Sequence, residues 1–239
     1  ELEGKAWNRL KNHDAALRCW SELIELGEEV EKNIERGARA AFNASSYLKS
    51  FEYAMRLHGI RPGTNQNLVL ASRAASKGNL LEEREMLLNQ LESTPRGSRD
   101  AWLNICKAYH ELDLSEQTEV QLMDALKIHP DDIEFNILTG RLLMKNGSVE
   151  KAIKHFKRAQ DIEPHRADIA IYLARAYRRL GRFNLAIITL RGDDGYRDNL
   201  SLQMLLGNIL SEAEDWAGSL EIWENIRSNH PERRDIVLK

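Results

Sequence analysis

The chain has 239 residues, 42% of them hydrophobic, and a net charge of −3, so no overall positive field marks it as a nucleic-acid-binding protein. No apolar run approaches the roughly 20 residues that a helix needs to cross a bilayer, and no signal peptide is visible. The two cysteines, Cys19 and Cys106, lie in different repeats on different helical faces, so we expect no disulfide. The seven histidines share no metal-ligand spacing, so we expect no metal site and no cofactor.

The predicted elements are pairs of short amphipathic helices that recur along the chain with a period of about 34 residues. The first pair starts inside its first helix, and the fourth and fifth pairs are the most regular. In chain order the pairs occupy residues 1–30, 31–64, 65–98, 99–132, 133–166, 167–199 and 200–233, and residues 234–239 would open an eighth. Because the pattern is cut at both ends, the sequence predicts a piece of a longer protein.

The fifth pair, residues 133–166, shows how each unit is built. Asn146-Gly147-Ser148 separates two helices, and Pro164 ends the second because proline lacks the N–H that a continuing helix needs. One stripe of the second helix carries Ala152, Phe156 and Ala159. A single pair cannot bury this stripe, so neighbouring pairs have to stack against it.

Two positions of the repeat define the contact between the paired helices. The eighth position is small in every pair: Gly4, Ala38, Ser72, Cys106, Gly140, Ala174 and Gly207. The twenty-fourth position is mostly large and apolar: Trp20, Ala54, Leu88, Leu122, Phe156, Leu190 and Trp223. Small residues let two helices approach closely, and the large residue fills the space between them. We therefore expect the tryptophans, Trp7, Trp20, Trp102, Trp216 and Trp223, to lie in the core.

This pattern resembles the tetratricopeptide repeat (TPR) family over essentially the whole chain. The best matches are Gly140/Ala152/Phe156/Ala159/Pro164 and Trp102/Cys106/Tyr109/Ala125/Pro130. The resemblance implies an all-α fold, a right-handed α-solenoid of stacked antiparallel helix pairs, formed as one domain by residues 1–239. It also implies that the first helices line a concave surface. It says little about function, since members of the family bind very different partners.

The sixth pair departs from the family pattern. Its second helix is predicted to run only from about Asn184 to Arg191, because Gly192-Asp193-Asp194-Gly195 follows where the last helical turn belongs. We expect a loop at residues 192–195 with two adjacent, solvated carboxylates.

The candidate binding residues are cations at the ninth repeat position, which faces the concave groove in TPR proteins. They are Lys5, Arg39, Arg73, Lys107, Arg141 and Arg175, and the thirteenth position adds Lys77, Lys145 and Arg179. One interpretation is a basic groove for an acidic, extended partner, because arginine binds carboxylates through two parallel hydrogen bonds. The other is that these cations complement helix dipoles near helix C-termini, for about 0.3–1 kcal/mol each.

The sequence therefore predicts a non-catalytic scaffold for protein–protein interaction, whose partner is an acidic protein or peptide and not a nucleic acid or a membrane. The alternative is a TPR arm of a larger bacterial-type protein of polysaccharide synthesis or export, or of a glycosyltransferase or sulfotransferase, that mediates assembly or dimerisation. Self-association through the ends of the solenoid is a further expectation. The sequence leaves the compartment open and favours the cytoplasm.

Overall fold

A computed structural model of the chain describes residues 1–27, 30–62, 65–192 and 198–230. Within these ranges the chain forms fourteen α-helices and no strand, which confirms the predicted all-α class. The helices are α1 (Leu2–Arg9), α2 (His13–Glu25), α3 (Val30–Asn43), α4 (Tyr47–Ile60), α5 (Gln66–Lys77), α6 (Leu81–Ser93), α7 (Arg99–Glu111), α8 (Ser115–Ile128), α9 (Ile133–Lys145), α10 (Val149–Ile162), α11 (Ala167–Arg179), α12 (Phe183–Arg191), α13 (Leu200–Glu212) and α14 (Trp216–Asn229).

The helices group into two compact units, Glu1–Gln121 and Leu122–Lys239. In the first unit, one apolar cluster is built around Leu68, Leu87 and Ile105, and the N-terminal hairpins bury Trp20 and Ile34. In the second unit, one apolar cluster extends from α9 to α14 and contains the fully buried Phe156. A single solenoid over residues 1–239 stays a prediction.

Within a hairpin, the residue at the eighth repeat position faces the residue at the twenty-fourth, sixteen positions later. The larger the second residue is, the smaller the first one has to be. A Cβ built on Gly140 would lie 2.4 Å from Phe156 Cε1, closer than two carbon atoms can approach without a shift of the ring. Gly4 meets Trp20 in the same way, and so does Gly207 with Trp223. Where the facing residue is smaller, the first position carries a side chain, as in the pairs Ala38/Ala54, Ser72/Leu88 and Ala174/Leu190. Glycine is therefore needed where an aromatic ring fills the hairpin.

The turn inside each hairpin contains a residue with left-handed backbone conformation, always at the same repeat position. The left-handed residues there are Lys11, Ser45, Asn79, Asp113, Gly147, Gly181 and Glu214, with φ between 51° and 79°. The next residue donates its N–H to a carbonyl five residues earlier, as from Ser148 to Leu143 at 2.8 Å and from Ser46 to Ala41 at 2.8 Å. This is the Schellman pattern, which pairs the last free carbonyl groups of the first helix.

The sixth hairpin has the short second helix that the sequence predicts. Helix α12 has 9 residues, whereas α10 and α14 have 14 each. Gly192 follows its last turn, and residues 193–195 of the predicted loop lie outside the described residues. The start of an eighth repeat at 234–239 also lies outside them.

The prediction that all five tryptophans lie in the core is wrong for Trp216. Trp20 is fully buried, but Trp216 is 67% exposed. Trp216 is the first residue of α14, whereas its counterpart at the first residue of α10, Val149, is buried. Repeat position alone therefore does not decide burial.

Candidate functional site

The cations at the ninth repeat position lie on the first helix of each hairpin, as the repeat predicts. In the first unit they belong to α1, α3, α5 and α7, and in the second unit to α9 and α11. Lys77, Lys145 and Arg179 are each the last residue of their helix, where a cation also complements the helix dipole. The position of these cations is therefore compatible both with partner binding and with complementing the helix dipoles. The contacts of each side chain distinguish the two interpretations.

We call the nine candidate cations at the ninth and thirteenth repeat positions the ladder cations. In the first unit, three of them are already paired with carboxylates of the chain. Lys5 Nζ lies 2.6 Å from Glu1 Oε1, Arg39 Nη2 lies 2.8 Å from Glu35 Oε1, and Arg73 Nη2 lies 2.7 Å from Glu111 Oε1. Hydrogen bonds from Lys5 and Arg36 lower the pKa of Glu1 to about 2, and the hydrogen bond to Glu111 raises the pKa of Arg73. A carboxylate of a partner would have to displace an internal one at these positions.

The two remaining ladder residues of the first unit differ in exposure. Lys77 is exposed at the end of α5, whereas Lys107 is half-buried on α7.

In the second unit, Arg141 and Arg175 are exposed, and no carboxylate among the described residues forms an ion pair with either. The Cζ atom of Arg141 lies 5.9 Å from the centroid of the Tyr172 ring, within the range of a cation–π contact. Tyr172 in turn stacks on the buried Phe156, with ring centroids 5.4 Å apart and an interplanar angle of 11°. Arg141 is thus held over an aromatic face while its charge stays exposed.

Two contacts fix the relative position of α9 and α11. At their starts, Arg166 donates a hydrogen bond to Glu134 at 2.6 Å and bonds Asp168 at 2.8 Å, and these two carboxylates raise the pKa of Arg166. At their ends, Arg179 Nη1 donates to the carbonyl oxygen of Met144 at 2.6 Å. Helices α9 and α11 are therefore parallel, and their N-terminal ends lie next to each other.

This arrangement brings four of the predicted residues together. Arg141 and Lys145 follow each other at i and i+4 on α9, and Arg175 and Arg179 do the same on α11, so each pair shares one helix face. Because Arg179 contacts a neutral carbonyl, its positive charge is not cancelled. We call Arg141, Lys145, Arg175 and Arg179 the α9–α11 basic patch.

The next first helix, α13, ends the basic series. Asn208 takes the ladder position there and is exposed. Arg178 on α11 donates two hydrogen bonds to Glu212 on α13, at 2.7 Å and 2.5 Å, in the planar two-point geometry that suits a guanidinium and a carboxylate. The α9–α11 basic patch is therefore bordered by a neutral residue and an internal ion pair.

Residues 1–27, 30–62, 65–192 and 198–230 also bear on two other kinds of feature, metal sites and membrane-spanning helices. No group of three or more His, Cys, Asp or Glu side chains in these ranges is placed to hold a metal ion. None of the helices there is long and apolar enough to span a membrane.

The comparisons with known proteins agree with the repeat pattern. A family model described as tetratricopeptide repeat matches residues 143–209, from the second half of α9 into α13. Residues 143–209 are therefore a tetratricopeptide-repeat segment. The chain is also similar to the DnaJ homolog subfamily C member 7 homolog of Schizosaccharomyces pombe, with 23% identity over 185 residues. That match covers 67% of this chain and 38% of the relative, so the chain spans well under half the length of the relative.

Solved structures support the same fold at low identity. A human IFIT1 dimer with PPP-AAAA matches with a TM-score of 0.60 and 14% identity, covering 92% of this chain and 55% of IFIT1. PilW, a type IV pilus biogenesis factor, matches with a TM-score of 0.62 and 14% identity, covering 87% of this chain and 97% of PilW. At these identities the likeness concerns the fold and not the ligand.

Proposed function

We propose that this TPR protein is a non-catalytic scaffold whose α9–α11 basic patch binds an acidic, extended segment of a partner protein. The observation that carries the proposal is the contrast between the two units. Ladder cations Lys5, Arg39 and Arg73 are held by internal carboxylates, whereas Arg141 and Arg175 are exposed without one in the described part of the chain.

The chemistry of the patch suits carboxylates on an extended chain. A guanidinium can bind a carboxylate through two parallel hydrogen bonds, and such charge-assisted bonds are stronger than neutral ones. The contact of Arg141 with Tyr172, whose ring stacks on Phe156, restricts the arginine before binding, so less side-chain entropy is lost when a partner docks. Cations one helical turn apart, about 5.4 Å along each axis, offer a row of contacts.

The proposal is tested with two double variants that change net charge equally. A fluorescein-labelled synthetic peptide of alternating Glu and Ser residues is the probe, measured by anisotropy at low and at physiological salt. We expect Arg141→Glu/Arg175→Glu to weaken binding about tenfold or more, because two unpaired cations become repulsive anions. Arg39→Glu/Arg73→Glu, at the same repeat position, should weaken binding by no more than about twofold, because these cations are already neutralised.

Two results would contradict the proposal. Equal losses in both double variants would mean that only the overall field matters, and undetectable binding of the wild type at low salt would remove the site. The oligonucleotide PPP-AAAA, which is bound in the IFIT1 structure, serves as a second probe. Because the chain carries a net charge of −3, we expect it to bind the oligonucleotide more weakly than the acidic peptide, and the reverse order would reassign the patch to a nucleic acid.

The predicted role in polysaccharide synthesis or export receives no support from the relatives found, whose names concern a DnaJ homolog, IFIT1 and a pilus biogenesis factor. Self-association through the terminal hairpins stays a proposal. It is supported by the exposure of Leu2 (83%) on α1 and of Trp216 (67%) on α14.

A further inference from the structure

The second helices α10 and α12 lie next to each other at their starts. Glu150, in the first turn of α10, is 3.8 Å from the guanidinium of Arg182, the residue that precedes α12. Both helices are the second members of hairpins whose first helices, α9 and α11, are parallel. Helices α10 and α12 therefore run in the same direction from this contact.

The outer face of α10 presents lysines along this line. Lys154 and Lys157 follow Glu150 at i+4 and i+7, so all three share one face of the helix. Both lysines are exposed, and no ion pair joins either to a described residue. The nearby carboxylate of Glu150 is directed to Arg182 instead.

The outer face of α12 presents apolar side chains at the matching turns. Leu185, one turn after Arg182, is 44% exposed, and Ile188, almost one turn later, is 65% exposed. The opposite side of the same helix is buried through Ala186 and Leu190. Helix α12 is thus apolar on both sides, and water contacts one of them. An exposed apolar strip bordered by unpaired cations is typical of an interaction surface.

We propose that Lys154, Lys157, Leu185 and Ile188 form a second docking surface, on the face made by the second helices, and that it binds an acidic amphipathic helix of a partner protein. Apolar side chains of that helix cover Leu185 and Ile188, and carboxylates along one flank contact Lys154 and Lys157. An amphipathic helix that docks on an apolar surface does so through its apolar residues at i, i+3 or i+4 and i+7. The charge pairs with the two lysines set the orientation of that helix.

A protein helix suits this surface better than an anionic membrane. Only two large apolar side chains are exposed on α12, and the face of α10 that carries Lys154 and Lys157 also carries Glu150 and Asp161. An extended anionic surface would be repelled by these carboxylates, whereas one helix can place its acids opposite the lysines alone. This surface is separate from the α9–α11 basic patch, which lies on the first helices.

The test uses a displayed library of helix-forming peptides with randomised surface positions, selected on the full chain and counter-selected on its Ile188→Asp variant. We expect enriched peptides to carry an apolar stripe with Asp or Glu on one flank. Lys154→Glu/Lys157→Glu should weaken their binding about tenfold or more, and Arg141→Glu/Arg175→Glu, with the same change in net charge, no more than about twofold. Circular dichroism verifies that the variants, all at exposed positions, remain helical.

Several outcomes would overturn this proposal. They are the absence of enrichment, enriched peptides that lack acids, or unchanged affinity for Lys154→Glu/Lys157→Glu. If only Arg141→Glu/Arg175→Glu weakens binding, the proposed function of the first-helix patch stands and the second surface is refuted. Vesicles of phosphatidylserine and phosphatidylcholine are the remaining probe, and we expect no co-sedimentation. Co-sedimentation that depends on Lys154 and Ile188 would assign the surface to membranes and refute the protein partner.

Discussion

Replacing Phe156 with alanine should lower the free energy of unfolding of the second unit by about 3–5 kcal/mol. The ring is fully buried, packs on Gly140 inside the hairpin and stacks on Tyr172 of α11. Its removal leaves a cavity that two helices cannot close, because each is also held by its own neighbours. Urea unfolding followed by circular dichroism measures the change.

The matched control for this substitution is Ile188→Ala in the same unit. Ile188 is 65% exposed, so the loss of its side chain should change the stability by no more than about 0.5 kcal/mol. Similar unfolding curves for Phe156→Ala and Ile188→Ala would show that Phe156 does not fill the hairpin.

A Gly140→Ala substitution should destabilise the protein by about 1–3 kcal/mol, although alanine in place of glycine normally stabilises a helix by up to about 1 kcal/mol. The new methyl group would lie 2.4 Å from the Phe156 ring, and this ring is fully buried and stacked on Tyr172. The double variant Gly140→Ala/Phe156→Leu should recover part of the loss, because leucine vacates the space that the methyl group takes. The expected coupling between the two sites is measured by a double-mutant cycle.

Gly59→Ala is the control for Gly140→Ala. Gly59 lies in the last turn of α4, and a Cβ built there meets nothing within 4 Å. We therefore expect unchanged or slightly increased stability. If both glycine substitutions stabilise the chain, or if the effects of Gly140→Ala and Phe156→Leu simply add, the close approach inside the hairpin is refuted.

The fold was predictable because each hairpin repeats the same pattern of small and large residues at its packing positions. The small residue at the eighth position and the large residue at the twenty-fourth face each other in the structure, as Gly140 faces Phe156. The turns were harder to predict, since left-handed backbone normally indicates glycine. Here Lys11, Ser45 and Asp113 adopt it, because the Schellman hydrogen bonds that follow compensate the cost of the left-handed conformation.

The positions of the ladder cations were predictable, but their ionic partners were not. The period places Arg73 and Arg141 at equivalent sites, yet Arg73 meets Glu111 of the next first helix and Arg141 meets Tyr172. The choice depends on which residue the neighbouring helix presents within a few ångströms, and a repeat pattern read for packing positions does not include these exposed neighbours. Both contacts could have been found by comparing each cation with the residues 31 and 38 positions after it, since Tyr172 follows Arg141 by 31 positions and Glu111 follows Arg73 by 38.

The most direct test of the α9–α11 basic patch is to locate a bound acidic peptide on the chain. A Glu/Ser peptide that carries a benzophenone photocrosslinker is irradiated with the wild-type protein, and the adducts are identified by mass spectrometry. We predict adducts on α9 and α11, close to Arg141 and Arg175, and their loss in Arg141→Glu/Arg175→Glu. Adducts on α1, α3 and α5, or on the outer faces of the second helices, would contradict the assignment of acidic-peptide binding to this patch.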